Sequence, residues 1–181
     1  MVDSGSVDDL LDRDATRVVV LVEGISDQVA VETLAARHGR DLAAEGVVIL
    51  PVGGAHGVRR HVQRLLDFRL LAICDAGEAH VVQRAMAEAG RGDVFVCDRD
   101  LEDELIRAAG TDRVKDVFAA HGDLTAFHTI QRQPAWRGKD EAAQMRRFLA
   151  AGARRKLRYA RLLTAELDHI PPPLTALLAA I

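Results

Sequence analysis

The chain has 181 residues, a length that suits one domain, or one domain with a small appendage. Apolar residues make up 49% and aromatics only 4%, so a sizeable core is expected and Val, Leu, Ile and Ala must build it. No apolar run approaches the roughly 18 residues of a membrane span, the N-terminus lacks the basic-then-apolar order of a signal peptide, and a net charge of −3 by itself neither requires nor excludes a nucleic-acid partner.

The distribution of charge says more than its sum. From Asp3 to Glu104 stand 20 of the 27 acidic residues, whereas Arg132 to Arg161 holds ten Lys/Arg against Asp140 and Glu141 alone. Metal-binding carboxylates on one part and phosphate-binding cations on the other would produce that polarity, with solvated helix faces as the competing explanation. Cys74 and Cys97, the only cysteines, lie in apolar runs and are expected as buried free thiols in a reducing cytoplasm.

Residues 1–16 read as an acidic tail. Arg17–Val22 is a continuous β-branched run, as in a parallel strand buried on both faces. Ser26 is the expected cap of a helix over Asp27–His38, ended by Gly39. Val47–Val52 is a second strand, Gly53-Gly54 a turn and Val58–Leu66 a helix. A third strand, Leu70–Cys74, ends at Asp75; a helix over Glu78–Ala89, a turn at Gly90–Gly92 and a fourth strand, Val94–Cys97, follow. The next helix, Asp100–Ala109, has a strongly acidic first turn, and helices are predicted over Arg113–Ala120, Asp140–Ala150, Arg154–Leu167 and Leu174–Ile181, with Trp136 and Gly138 in a loop. Four short apolar strands alternating with helices predict an α/β fold with a parallel sheet over residues 17–110, followed by a basic helical extension over 111–181.

Ligands of open α/β sheets bind beyond the carboxyl ends of the strands. There the sequence places Glu23-Gly24, Gly53-Gly54, Asp75, and the group Asp98, Asp100, Glu102 and Glu104. Clustered carboxylates repel unless a cation offsets them, and Mg²⁺ or Mn²⁺ held by carboxylates, water and a substrate phosphate suits such oxygen donors. Asp27, Asp98 and Asp100 could equally serve as helix caps or dipole partners. The seven histidines include no i, i+4 pair, so zinc is not expected.

Val22-Glu23-Gly24-Ile25-Ser26-Asp27 at the end of a hydrophobic strand resembles the first motif of Toprim domains. Leu71-Ala-Ile-Cys-Asp75 resembles the strand that carries the family's aspartate pair, and Asp100-Leu-Glu102-Asp-Glu104-Leu resembles the acidic third motif of the overcoming-lysogenisation-defect (OLD) branch. Arg155-Lys156-Leu-Arg158-Tyr-Ala, followed by Ile170-Pro-Pro-Pro-Leu174, resembles that branch's C-terminal end, where a lysine approaches the active site. The resemblance runs from about Arg17 to the C-terminus. It implies a Toprim, Rossmann-like fold and metal-dependent cleavage of nucleic acid, DNA being the expected substrate, by an endonuclease or nickase. It further implies that Glu23 and Asp75 bind metal and are catalytic. Asp27, Glu102 and Glu104 would be the second metal set or the base-side acids, and Lys156 would stabilise charge on the transferring phosphate. Arg146, Arg147, Arg154, Arg155 and Arg158 are the expected nucleic-acid contacts.

The pattern departs from the family in two places. Where paired aspartates are spaced Asp-x-Asp, this chain reads Asp75-Ala76-Gly77-Glu78, so the second acid is missing from its usual place and Glu78 comes one position late. OLD proteins also carry an ATPase domain ahead of the Toprim part, and no G-x-x-x-x-G-K-[ST] loop occurs here, so any ATP gating is expected from a separate polypeptide. The alternative reading is a non-catalytic Toprim-fold module that binds nucleic acid or such an ATPase partner. A receiver-like phosphotransfer domain ranks third, because Asp75 also ends a strand. A homodimer is a further expectation for the assembly.

Overall fold

The computed structural model describes residues 11, 12, 14–91 and 93–181, with the backbone alone for 55 and 56; most of the expected acidic tail, residues 1–10 and 13, and the turn residue 92 lie outside the described residues. Four parallel strands, β1 (Val18–Val22), β2 (Val47–Pro51), β3 (Arg69–Cys74) and β4 (Val94–Val96), form one sheet in the order β2-β1-β3-β4. The register sets Val18 beside Val47 on one flank and Arg69 on the other. All five residues of β1 are buried, as expected of a central strand in a sheet covered on both faces.

Side chains alternate across that strand and divide the core in two. Val18, Val20 and Val22 face α1 (Ile25–Arg37) and α4 (Leu101–Ala109), together with the C-terminal helices. Val19 and Leu21 face α2 (Ala55–Arg64) and α3 (Ala79–Glu88), through Val58, Val62, Leu65, Val82 and Met86. On the outer strand, Val52 donates its N–H to Val22 at 2.9 Å, so Pro51 turns its amide-less nitrogen outward. A proline there leaves the free edge poorly suited to accept another strand.

Five helices follow: α5 (Thr111–Ala120), α6 (Leu124–Arg132), α7 (Glu141–Leu149), α8 (Ala153–Glu166) and α9 (Pro172–Ala180). They share the core of the β1–α1 face and do not form a separate one. Phe118 is the hub, with ring centroids 5.2 Å from Phe127 and 4.9 Å from both Phe148 and Tyr159. Helix α6 was not predicted, because Leu-Thr-Ala-Phe-His-Thr-Ile-Gln-Arg contains weak helix formers; burial of Phe127 in the aromatic cluster decides its conformation. Arg37 ties α1 to the end of α8, donating to the carbonyls of Thr164 and Leu167 at 2.8 Å each. No helix among the described residues is long and apolar enough to cross a membrane.

The expected cap of α1 is corrected. Gly24, and not Ser26, occupies the N-cap, and Asp27 in the first turn reaches back to accept the Gly24 N–H at 2.7 Å. Ser26 lies inside the helix and is buried.

Candidate active site at the carboxyl edge of the sheet

The chain passes from β1 outward to β2 and then returns to the other side of β1 for β3. The crevice between the ends of β1 and β3 is therefore the topological switch point, where open α/β sheets bind ligands. Glu23 follows β1 and Asp75 follows β3, so the two carboxylates best marked in the sequence meet there. The Glu23 carbonyl accepts the N–H groups of Gly53 at 3.0 Å and Gly54 at 3.3 Å. Both glycines have positive φ, 72° and 92°, which lets the turn after β2 close onto Glu23.

Glu23, Asp27 and Asp75 line one small cleft with Cys74, Cys97 and Leu101. Burial pushes the Asp75 carboxyl up to about 8, helped by the charges of Glu23, Asp100 and Asp27 and by a hydrogen bond shared with Glu23. Burial also raises Asp27, against the opposing pull of Lys156 and the Gly24 amide. The Cys74 thiol is raised to about 12, first by burial and then by Asp75, Glu78 and Glu23, and Cys97 is raised by burial and by Glu104; both are free, buried and neutral at ordinary pH.

The first turn of α4 supplies the third side. Asp100 caps the helix by accepting the Asp103 N–H at 2.8 Å, and its other oxygen pairs with Nε of Arg146 from α7. Glu102 pairs with Nζ of Lys156, from α8, at 3.3 Å. Burial raises Glu102 while Lys156 opposes it; burial lowers Lys156, but Glu102, Asp27 and Glu23 together outweigh that and raise it. Glu104 is turned elsewhere: one oxygen accepts the Asp98 N–H at 2.8 Å and the other pairs with Arg107 at 2.8 Å. The structure therefore brings Glu23, Asp27 and Asp75 to one cleft with Glu102 and Lys156 beside it, while Glu104, near enough for its charge to act on Cys97, has both oxygens engaged by Asp98 and Arg107.

The five predicted arginine contacts also divide. Arg146 stands at the site through Asp100. Arg147 and Arg154 are exposed, with no side-chain partner among the described residues. Arg155 lies 4.1 Å over the Phe148 ring, and Arg158 pairs with Asp123 at 3.1 Å and donates to the His121 carbonyl. Asp100 is the site residue that sequence reasoning left undecided between cap and ligand. It is a cap that also holds a cation, and its spacing of two from Glu102 was the available signal.

Glu78 starts α3 and, with Glu23 and Gly54, lines a neighbouring small cleft. Gly77 has no positive φ, and a Cβ added there would meet no atom within 4 Å. Its backbone thus follows a course open to an L-residue.

These carboxylates can be tested for fit to a divalent cation. Lys156 and Arg146 pair with Glu102 and Asp100, and among the described residues the Glu23–Asp75 pair has no cation of its own. Among the described residues no three His, Cys, Asp or Glu side chains converge as a ready metal cage. Two carboxylates open to water and a substrate phosphate suit Mg²⁺ or Mn²⁺, which are usually held by one or two carboxylates and not by an all-protein cage.

Comparison with known proteins bears on the family and the fold. Residues 16–76 match the overcoming lysogenization defect protein-like TOPRIM domain. No curated protein matches the chain in sequence. In fold it is similar to the C-terminal region of the Xanthomonas campestris pv. campestris OLD protein, at 21% identity and a TM-score of 0.63 over 92% of each chain. It is also similar to the C-terminal region of the Burkholderia pseudomallei OLD protein, at 16% identity and a TM-score of 0.65, covering 91% of this chain and 96% of that one. Residues 16–76 thus match the OLD-like Toprim domain, and the chain has the fold of the OLD C-terminal regions.

Proposed function

We propose that this chain is a divalent-metal-dependent phosphodiesterase acting on nucleic acid, an endonuclease or nickase whose expected substrate is DNA. The observation that carries the reading is the meeting of Glu23 and Asp75 at the β1–β3 switch point, without a cation of their own among the described residues, beside two cations from the helical extension. Glu23 and Asp75 would hold the ion, with Asp27 next to them as a third oxygen donor, direct or through water. Mg²⁺ or Mn²⁺ bound there supplies Lewis-acid polarisation of the phosphoryl oxygen and a template for substrate. Lys156 places a positive charge where the transferring phosphate gathers negative charge, and Glu102 keeps that ammonium in position. In this reading Glu104 supports the first turn of α4 and binds no metal. Exposed Arg147 and Arg154 are available for backbone phosphates farther from the cut.

Gly77 supports a second reading, a non-catalytic module that binds nucleic acid or a separate ATPase, because a two-metal site would use a carboxylate there. A nicking assay on supercoiled plasmid separates the two. The nuclease reading expects conversion to open circles with Mn²⁺ or Mg²⁺, none with EDTA, and loss of activity in Glu23→Gln with an unchanged thermal melt. Binding without nicking under any divalent ion would establish the second reading and sink the first.

A further inference from the structure

We infer that Arg146 is a phosphate-binding residue of this site, set in place by Asp100, and that with Lys156 it brackets the phosphate from a second side. The inference rests on the reading of the cleft as a phosphodiester site. Arg146 and Asp100 are 46 residues apart in sequence, so only the packing of α7 on α4 brings them together. Asp100 is a firm anchor: it is buried, and one of its oxygens is fixed by capping α4. Arg146 uses Nε alone in this pair. Its two Nη groups have no partner among the described residues, and its side chain is 42% exposed.

A guanidinium held by Nε keeps its outer edge free. That edge matches two phosphate oxygens, and anchoring lowers the entropy lost on engaging them. The charges of Asp100, Asp103 and Asp75 all strengthen the hold of Arg146 on its proton, which places it within reach of the Asp75 field. Two residues further along the same helical turn, Glu102 holds Lys156. Two cations from two different helices thus reach the start of α4 beside the acid cleft, each held by a carboxylate with hydrogen-bonding capacity to spare. Arg155 and Arg158 lack this freedom, since they are engaged with Phe148 and with Asp123 and His121.

The competing role for Arg146 is a clamp that only fastens α7 to α4. Lysine separates the two roles, because it keeps the charge facing Asp100 but has no planar fork. Binding of a fluorescent single-stranded deoxyoligonucleotide in Ca²⁺ would be followed by anisotropy over a range of salt, with a thermal melt of each variant. Arg146→Ala should bind about ten- to a hundredfold more weakly and flatten the log–log salt dependence by about 0.7. Arg146→Lys should melt like wild type and still bind more weakly than wild type. Asp100→Asn keeps a capping side chain but loses the ionic anchor, so affinity should fall partway while the salt slope holds. Wild-type affinity and slope in Arg146→Ala, full recovery in Arg146→Lys, or a wild type that does not bind the oligonucleotide would each overturn the inference. Plasmid nicking judges the nuclease reading separately: nicking with normal binding by Arg146→Ala removes only the role of Arg146, and binding without nicking removes only the nuclease.

Discussion

Replacing Asp75 by Asn tests the electrostatics of the site most directly. In the folded, metal-free chain the Asp75 carboxyl is raised to about 8, against 3.8 for an unperturbed aspartate, by burial and then by Glu23, Asp100 and Asp27. Between those values the folded state holds a proton that the unfolded state has released, so stability falls as pH rises through the window and is level on either side. The side chain is only part-buried, and the full displacement must be discounted for solvent screening, which leaves about 1–3 kcal/mol across the window. Asp75→Asn removes this penalty. Above pH 8, without metal, it should melt roughly 2–10 °C higher than wild type, and the gap should close towards pH 4. Metal binding should run the other way. A carboxyl that must lose its proton to bind a cation gives an affinity that rises up to about tenfold per pH unit below 8 and levels above it. Mn²⁺ calorimetry at pH 6, 7, 8 and 9, repeated in buffers of different ionisation enthalpy, measures both the affinity and the protons released. An affinity that is flat from pH 6 to 8, with no proton released, would refute the reasoning, as would equal pH dependence of the melts of Asp75→Asn and wild type.

Two glycines give further tests. Gly77 has open space at its Cβ and no positive φ, so Gly77→Ala should leave stability within about 0.5 kcal/mol of wild type. Gly77→Asp should cost stability only through like-charge repulsion, which Mn²⁺ relieves, and should tighten Mn²⁺ binding; unaltered affinity by calorimetry would mean that position 77 does not face the metal site. Gly57 is the opposite case, because a Cβ there would stand 2.0 Å from the Val52 carbonyl oxygen. Gly57→Ala should push α2 off the end of β2 and destabilise the chain by about 1–3 kcal/mol or more, and an unchanged urea midpoint would contradict that close packing.

The layout of the sheet and the site was legible in the sequence because each signal is local. A continuous apolar run such as Val18–Val22 has only one comfortable place in an α/β protein, between two covered faces, and a carboxylate just past such a run must emerge at the carboxyl edge. Glu23, Asp75 and the acidic first turn of α4 could therefore be assigned to one edge from their positions along the chain. The cap at Gly24 and the helix α6 were misread or missed, because an aspartate reaching back three residues and a phenylalanine entering a distant aromatic cluster leave weak local marks. Only the tertiary structure decided which cation meets which carboxylate. Arg146 goes to Asp100 and Lys156 to Glu102, while among the described residues the pair Glu23–Asp75 receives none. Charge patterning along a chain gives the number and sign of the groups. Which charges come within a few ångströms of one another depends on how α7 and α8 pack across α4, and that packing follows from burial of Phe148, Tyr159 and Leu163 in the shared core, not from the charges themselves.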